Sequence, residues 1–503
     1  MPYLYRYETK GIQAWLLDAG RLRDLEGGSA FIDDIARKAR SDCEALNADV
    51  IQAAAGGLTA IFPDLASLES FAATWPAKLY YEMPDLAVVQ AWVAFQGSEP
   101  GQSNFDALYA KLKERRNRVW PALPEAGPVV ARAARTGRPA IVLPKDLARS
   151  NRGLLVDAAT ARRQQAREGR DASTLTLGER RFCLNANGET WKRDGDVGTI
   201  AVLHADATGV GQRITQMANR GLSTKDFKAF SSALADAMEG AVGDGLAALP
   251  TAHDGRVAAN LIVLGGDDVT LLLPAAHSMR FIDALMQSFA RATGEHAESL
   301  GGALALGVGV CFVHPHHPFY RAYELAETDC ATAKRDVRKA DNEAKEEKEV
   351  KDSPLSGVRF RRVTTSLDEA DAPMAHTWTS GDISKLETLV DAMRRLPRGS
   401  LRTFLTPVEA GDGEAAKKLW GRIAEVQREE RKHDWEAFCE ALRRCHASPD
   451  TGLFLDPGQD APGADGGPPL RSPLFDALAL DHLDAFGLRA ADKARAENAA
   501  NHD

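Results

Sequence analysis

Paired cysteines are missing from this sequence. Its six cysteines (Cys43, Cys183, Cys311, Cys330, Cys439, Cys445) are scattered without a CxxC pair. Their spacing supports neither a zinc knuckle nor a disulfide framework, and it points to a reducing, cytoplasmic setting. Long apolar runs are missing too: no stretch approaches the roughly 20 apolar residues of a membrane helix. Met1 to Lys10 lacks the basic-then-apolar order of a secretory signal, so a soluble protein with no membrane partner is expected. Basic charge is in deficit. Lys and Arg total 62 against 71 Asp and Glu, a net charge of −9, which argues against a surface that grips nucleic acid throughout but permits a local basic groove.

At 503 residues the chain is expected to divide into about two to four domains. Residues 1–94 read as a small α/β unit. An extended run at Tyr3 to Tyr7 precedes a helical pattern from Ile12 to Leu25, then Gly27-Gly28-Ser29 and a second helix from near Ala30. Val50 to Ala54 and Leu58 to Phe62 flank Gly56-Gly57 as a hairpin. Residues 95–193, rich in Arg, Pro and Ala, read as a linking region with some helix.

The clearest pattern lies in residues 194–375. Ile200 to Leu203 is an apolar strand that ends at Asp206, and Phe227, Phe230, Leu234 and Met238 then mark one face of a helix. Strands at Leu261 to Leu264 and Val269 to Leu273 meet at Gly265-Gly266-Asp267-Asp268. Ile282, Leu285 and Phe289 mark a second helix, and Leu304 to Phe312 a fourth strand. This βαββαβ order predicts an α+β, ferredoxin-like unit with helices on one face of an antiparallel sheet. A charged stretch at 336–352 reads as a solvated helix end or insertion. Residues 376–503 read as helical, with stripes at Leu386, Leu389, Met393, Leu396 and at Leu419, Ile423, Val426, and a Gly/Pro/Asp-rich loop from Asp456 to Ser472.

In that topology the end of the first strand lies beside the turn of the central hairpin, so Asp206 faces Asp267 and Asp268. Converging carboxylates repel unless cations neutralise them, and hard oxygen donors suit Mg²⁺ or Mn²⁺. Two such ions could activate a 3′-hydroxyl and stabilise departing pyrophosphate. Gly265 and Gly266 would let a nucleotide's phosphates approach the backbone. A Gly/Asp hairpin turn alone is commonplace; the further carboxylate at the end of a buried strand is what makes the constellation chemical.

The Gly265-Gly266-Asp267-Asp268 turn, the strand end from Leu203 to Gly211 and the segment Pro318 to Glu327 together resemble the large palm-domain subunit of type III CRISPR effectors, the Cas ten family with its Cmr two branch. The likeness extends over Gly11 to Ala14, Arg21 to Arg23, Gly27-Gly28-Ser29 and Thr136 to Ala140. It implies two ferredoxin-like palms, a linking segment and a helical C-terminal domain. It also implies an ATP substrate, a cyclic oligoadenylate product, and metal binding by Asp206, Asp267 and Asp268. Other effector subunits, guide RNA and target RNA are the partners it implies.

The chain departs from the family in three places. Leu58-Thr59 stands where the active hairpin has two aspartates, no cysteines flank Thr136-Gly137, and the chain opens directly in the palm. The first palm is therefore expected to be catalytically silent, and the family's zinc knuckle and HD nuclease are not expected. The dyads His253-Asp254, His433-Asp434 and His502-Asp503 stand alone, so DNA cleavage is not expected either.

Weaker signals have ordinary counterparts. Lys334 could contact triphosphate as a point charge or be a solvated helix-end lysine. Gly28 and Ser29 could offer phosphate a helix start or merely pack the palms. His314, His316 and His317 form a loop cluster without regular ligand geometry. Trp15 and Leu16 read as core. The basic runs near Arg115 and Arg162 could touch RNA or face solvent. The expected reaction is metal-dependent nucleotidyl transfer; a scaffold role in an RNA-guided complex and dinucleotide cyclisation are the alternatives.

Overall fold

Alternation of apolar side chains builds the first sheet. In the computed structural model, β1 (Tyr3–Lys10), β2 (Asp49–Ala54), β3 (Gly57–Phe62) and β4 (Ala87–Ala94) pair antiparallel in the order β2-β3-β1-β4. The structure describes residues 1–17, 22–54, 56–83, 86–118, 127–142, 154–168, 174–185, 191, 198–219, 223–252, 254–346, 354–363, 376–454 and 470–488. Along β1, Tyr5 and Tyr7 enter one apolar core while Leu4 enters another on the opposite face, as the two-residue period of a strand requires. α1 (Ile12–Leu17) and α2 (Leu22–Glu44) join β1 to β2, and α3 (Leu65–Glu82) joins β3 to β4. This is the ferredoxin-like βαββαβ path.

The glycines of the first segment do not separate two helices at Ala30 as expected. α2 runs straight through Gly27, Gly28 and Ser29. A Cβ at Gly28 would stand 2.5 Å from the Leu16 side chain, so close crossing of α1 over α2 outweighs the weak helix propensity of glycine. α4 (Gln102–Arg116) buries Leu108 and Leu112 with Leu4, Val89 and Ala91. α5 (Ala158–Glu168) packs on α2, where the buried Arg163 guanidinium lies 4.1 Å over the Trp15 ring. A hairpin of β5 (Thr174–Leu177) and β6 (Arg180–Asn185) follows.

The second sheet repeats the plan. Its chain order is β7 (Ile200–Thr208), α6 (Val210–Asn219), α7 (Thr224–Ala247), β8 (Val257–Ala258), β9 (Asn260–Leu264), β10 (Asp268–Pro274), α8 (Ser278–Glu295), α9 (Ala297–Leu300) and β11 (Ala305–Val313). Ser223 caps α7, its hydroxyl accepting from the Asp226 N–H. β11, β7, β10 and β9 lie side by side, while β8 pairs with β6. α10 (Phe319–Glu346) returns the chain so that β12 (Gly357–Arg362) pairs parallel to β11, and β13 (Trp378–Thr379) adds a sixth strand. The sequence pattern showed only four, because β12 is half charged and β13 is two residues long. The charged stretch extends α10 to Glu346; residues 347–352 lie outside the described residues.

Two cores meet across this sheet. Ala201, Leu203, Ala205 and Ala207 pack with Phe230 and Leu234 of α7 and Phe281 and Leu285 of α8. Ile200 and Val202 share a second core with Tyr5, Tyr7 and Trp75 of the first palm. His204 and Asp206 therefore belong to the face turned toward the first palm and α10.

α11 (Ile383–Arg394), α12 (Arg398–Glu409), α13 (Gly413–Glu430), α14 (Lys432–Arg444) and α15 (Leu474–Leu483) complete the described chain. Leu386, Phe404, Trp420 and Phe438 extend the first of those cores. The expected stripe on α13 is rotated: Trp420, Ile423, Ala424 and Gln427 face inward and Val426 is exposed. Asp329 on α10 accepts from the Arg361 Nε and Nη2 of β12, both at 2.6 Å. Trp378 Nε1 donates to the buried Asp476 carboxyl at 2.7 Å. Among the described residues no helix is long and apolar enough to cross a membrane.

Burial pushes the Asp476 carboxyl up to about 7 against the opposing pull of the Trp378 hydrogen bond. An acid whose folded pKa lies above its unfolded value of about 3.9 favours folding most below the latter, and that contribution is lost as pH rises through the former. Asp476→Asn, which keeps an acceptor for Trp378, is expected to flatten the fall in unfolding free energy between about pH 4 and 7. Urea unfolding of both proteins across that range checks this; equal slopes would contradict it.

Candidate active site

Register brings the first two carboxylates together. β7 and β10 pair antiparallel with Asp206 opposite Asp268, and directly opposed residues project to the same face of a sheet. Asp267 occupies the turn just before β10, where its carbonyl accepts from the Ala207 N–H at 2.8 Å. The Gly265 N–H donates to the Asp268 carbonyl at 2.8 Å. A Cβ at Gly265 would stand 2.0 Å from Asp268 Oδ1, so that glycine makes room for the carboxylate. The backbone of Gly266 borders open space.

Lys334 arrives from α10. Its ammonium pairs with the Asp206 carboxylate and donates to the Ala207 carbonyl at 3.1 Å. Thus Asp206, Asp267, Asp268, Gly265, Gly266 and Lys334 converge as the pattern suggested. Gly28 and Ser29 do not join them, since they lie within α2 rather than at a helix start.

The electrostatics are those of crowded acids. Burial, then the Asp206 charge, raises the Asp267 pKa. Burial pushes Asp268 up to about 7, with Asp267 and Asp206 adding to the rise. Each effect penalises the anionic form, by desolvation or by repulsion. His204, one pleat behind Asp206, is lowered to about 4 by burial and by Lys334, and its Nδ1 lies 3.0 Å from Thr270 Oγ1. The imidazole is neutral at physiological pH. Tyr323 meets it edge to face, centroids 5.4 Å apart.

Among the described residues no three or more His, Cys, Asp or Glu side chains form a ready metal-binding group. The fit to a hard cation rests on donor chemistry: Asp267 and Asp268, both with raised pKa values, line one cleft, and Asp206, the strand partner of Asp268, adjoins them with its lysine. Divalent ions in such open sites take further oxygen ligands from phosphate and water. The histidine cluster shows no comparable arrangement. The His314 and His316 rings are 5.1 Å apart, and the His316 N–H donates to His314 Nδ1 at 3.2 Å. His433 is fully exposed, 3.7 Å from Glu436, and His253, His502 and Asp503 lie outside the described residues.

A cleft of about 1130 Å³ runs between the palms and takes in both hairpins. Gly265 to Asp268 line one side and Glu8, Gly56 and Gly57 the other, with Phe227, Phe319 and Tyr323 among the apolar walls. The first hairpin aligns differently from its sequence reading. Glu8 lies opposite Gly57 and Arg6 opposite Thr59, so Glu8-Gly57 and Arg6-Thr59 take the places of Asp206-Asp268 and His204-Thr270. Leu58 is one residue inside the strand and buried. Arg6 donates to Glu8 Oε1 and to Thr59 Oγ1, each at 2.8 Å, and Arg116 also pairs with Glu8. That carboxylate has protein cations of its own.

Arg115 and Arg162, of the two basic runs, engage their own fold. Arg115 donates to the Gln90 carbonyl with its guanidinium 5.2 Å from the Trp92 ring centroid, and Arg162 lies 4.8 Å over Tyr81. The sequence signal that missed Glu8 was the hairpin itself, because the pairing partner of each residue depends on where the turn closes.

Residues 199–343 match the family model described as Cas10/Cmr2, second palm domain. Crystal structures of a Csm1–Csm4 cassette in complex with AMPPNP and in complex with cA4 are similar to this chain. Each has a TM-score of 0.50 at 16% identity over 96% of this chain and 70% of that chain. At this identity the likeness shows a shared fold. No curated protein matches the chain.

Asp268→Asn removes one buried like charge while keeping shape, so at pH 8 the metal-free variant is expected to melt at the same temperature as the parent or higher. Thermal unfolding in a chelator checks this. A loss of several degrees would show that the carboxylate is held by attractive partners.

Proposed function

We propose that this chain, which carries the second palm domain of the Cas10/Cmr2 family, is a nucleotidyl transferase that joins ATP units into a cyclic oligoadenylate in antiviral defence. The observation that carries the reading is the opposition of Asp206 and Asp268 across β7 and β10, with Lys334 paired to Asp206 and with Asp267 and Asp268 lining the inter-palm cleft. Structures of similar fold were solved with AMPPNP and with cA4, which agrees with an adenine nucleotide as substrate and a cyclic product.

Mg²⁺ or Mn²⁺ on Asp206, Asp267 and Asp268 would supply charge stabilisation to a reacting triphosphate. The chain's own groups bind and orient. Lys334, whose ammonium sits beside Asp206, offers a point charge to phosphate oxygens. Gly266, with open space beside it, lets phosphates approach the turn. Neutral His204, bonded to Thr270 on the same sheet face as Asp206, adds no competing charge there. The cleft volume exceeds the upper range of a single drug-sized site, which suits two reacting nucleotides. The first palm, whose Glu8 is already paired with Arg6 and Arg116, contributes wall and shape rather than a second metal site.

The chain works with other CRISPR effector subunits, a guide RNA and a target RNA, as the resemblance of its palms to such an effector's large subunit suggests. The purified chain, alone and with such partners, is expected to convert ATP with Mg²⁺ into phosphodiester products resolvable by mass. Asp206→Ala and Asp267→Ala are expected to remain folded and to lose several powers of ten in rate, since electrostatic terms of this kind are each worth several kcal/mol. Parent-like synthesis in both variants would refute the site. No synthesis by the parent under any of these conditions would favour a scaffold role.

A further inference from the structure

α10 approaches the sheet more closely than side chains would allow. β11 pairs with β7 so that Gly307 is opposite Asp206 and Gly309 opposite His204; both glycines therefore lie on the face that α10 covers. A Cβ at Gly309 would stand 1.8 Å from the Ala326 carbonyl oxygen and 2.5 Å from the Cys330 nitrogen. That glycine is a backbone seat for the helix.

Gly307 differs in what it would strike. There the nearest atom to an added Cβ is Lys334 Cγ at 2.3 Å, with Lys334 Cδ at 3.4 Å and the Cys330 carbonyl oxygen at 2.9 Å. The Lys334 stem thus crosses β11 over the residue of that strand that stands opposite Asp206. Cys330 Sγ, one helical turn earlier, donates to the Gly307 carbonyl at 3.2 Å and fixes the helix against the strand at the same point. Beyond the crossing the ammonium reaches Asp206 and the Ala207 carbonyl.

We infer that Gly307 is a positioning residue for Lys334: its bare backbone is the channel through which the lysine stem reaches Asp206. A methyl group there meets the stem first, at 2.3 Å, and the Cys330 carbonyl oxygen second, at 2.9 Å, so the larger displacement falls on the stem and a smaller one on the helix. The effect on nucleotide chemistry rests on the role proposed above for Lys334; the effect on the lysine itself does not.

The test uses the full chain with Gly307→Ala, Lys334→Ala and the double variant. Gly307→Ala is expected to lower the melting temperature, and Lys334→Ala, which removes Cγ, is expected to restore most of that loss in the double variant. Non-additivity of this kind marks two residues in contact. Amine labelling read by mass spectrometry is expected to modify Lys334 severalfold faster in Gly307→Ala than in the parent, with Lys228 unchanged as control. In ATP conversion the single and double variants are expected to lose rate to the same extent. A melting loss that Lys334→Ala leaves in place, or unaltered labelling of Lys334, would overturn the inference and assign Gly307 to helix packing against Cys330. Absence of ATP conversion in the parent would count against the proposed reaction, while rescue and labelling would still decide the role of Gly307.

Discussion

Carboxylates crowded where β7 meets β10, with burial and neighbouring acids raising the pKa values of Asp267 and Asp268, are the constraint around which this molecule is arranged. Strand pairing forces the closest encounter, since Asp206 and Asp268 are partners in an antiparallel ladder whose far side is fully apolar. Neither side chain can turn away into that core. The acids remain on the cleft face, and the surroundings supply what compensation there is: Lys334 for Asp206, a backbone cleared at Gly265 for Asp268, and the open cleft for Asp267. The placement of α10 follows from the same constraint. Its docking on Gly309, its bidentate tie to Arg361 and its lysine aimed at Asp206 all involve the helix that delivers positive charge.

The first palm shows the same geometry with the constraint relieved. Glu8 sits at the position of Asp206 but faces Gly57, so no acid opposes it, and Arg6 and Arg116 neutralise it directly. Arg6 also satisfies Thr59, replacing the pair that His204 and Thr270 make in the second palm. Glu8 is shared by two guanidinium groups and has no acid opposite it, whereas Asp206 has one lysine and stands beside Asp267 and Asp268, whose carboxylates form no ion pair of their own among the described residues. The contrast between two sheets of one topology thus follows from a few side chains around each hairpin.

Where the sequence was readable, a repeating physical signal was the reason. The apolar run before Asp206, the helical spacing of Phe230, Leu234 and Met238, and the turn at Gly265-Gly266 each project a periodicity that the fold preserves. Lys334 could be suspected from its place on a helix that returns across the sheet. What could not be read depends on contacts between distant segments. Gly27-Gly28 looks like a break but is a crossing point for α1, and Leu58-Thr59 looks like the counterpart of two aspartates until the register with β1 shifts the match to Gly56-Gly57. Gly307 is silent in sequence because its importance lies in what Lys334 needs to pass.

The claim that the acids are kept for divalent ions is tested most directly by equilibrium binding of Mn²⁺ to the full chain, read as the loss of free Mn²⁺ resonance, with and without a non-hydrolysable ATP analogue. The account predicts saturable binding that the analogue strengthens and that Asp206→Ala and Asp267→Ala each weaken by at least about tenfold, the scale of a lost ligand-shell contribution. Binding that is absent in the parent with the analogue present, or indifferent to both substitutions, would contradict it.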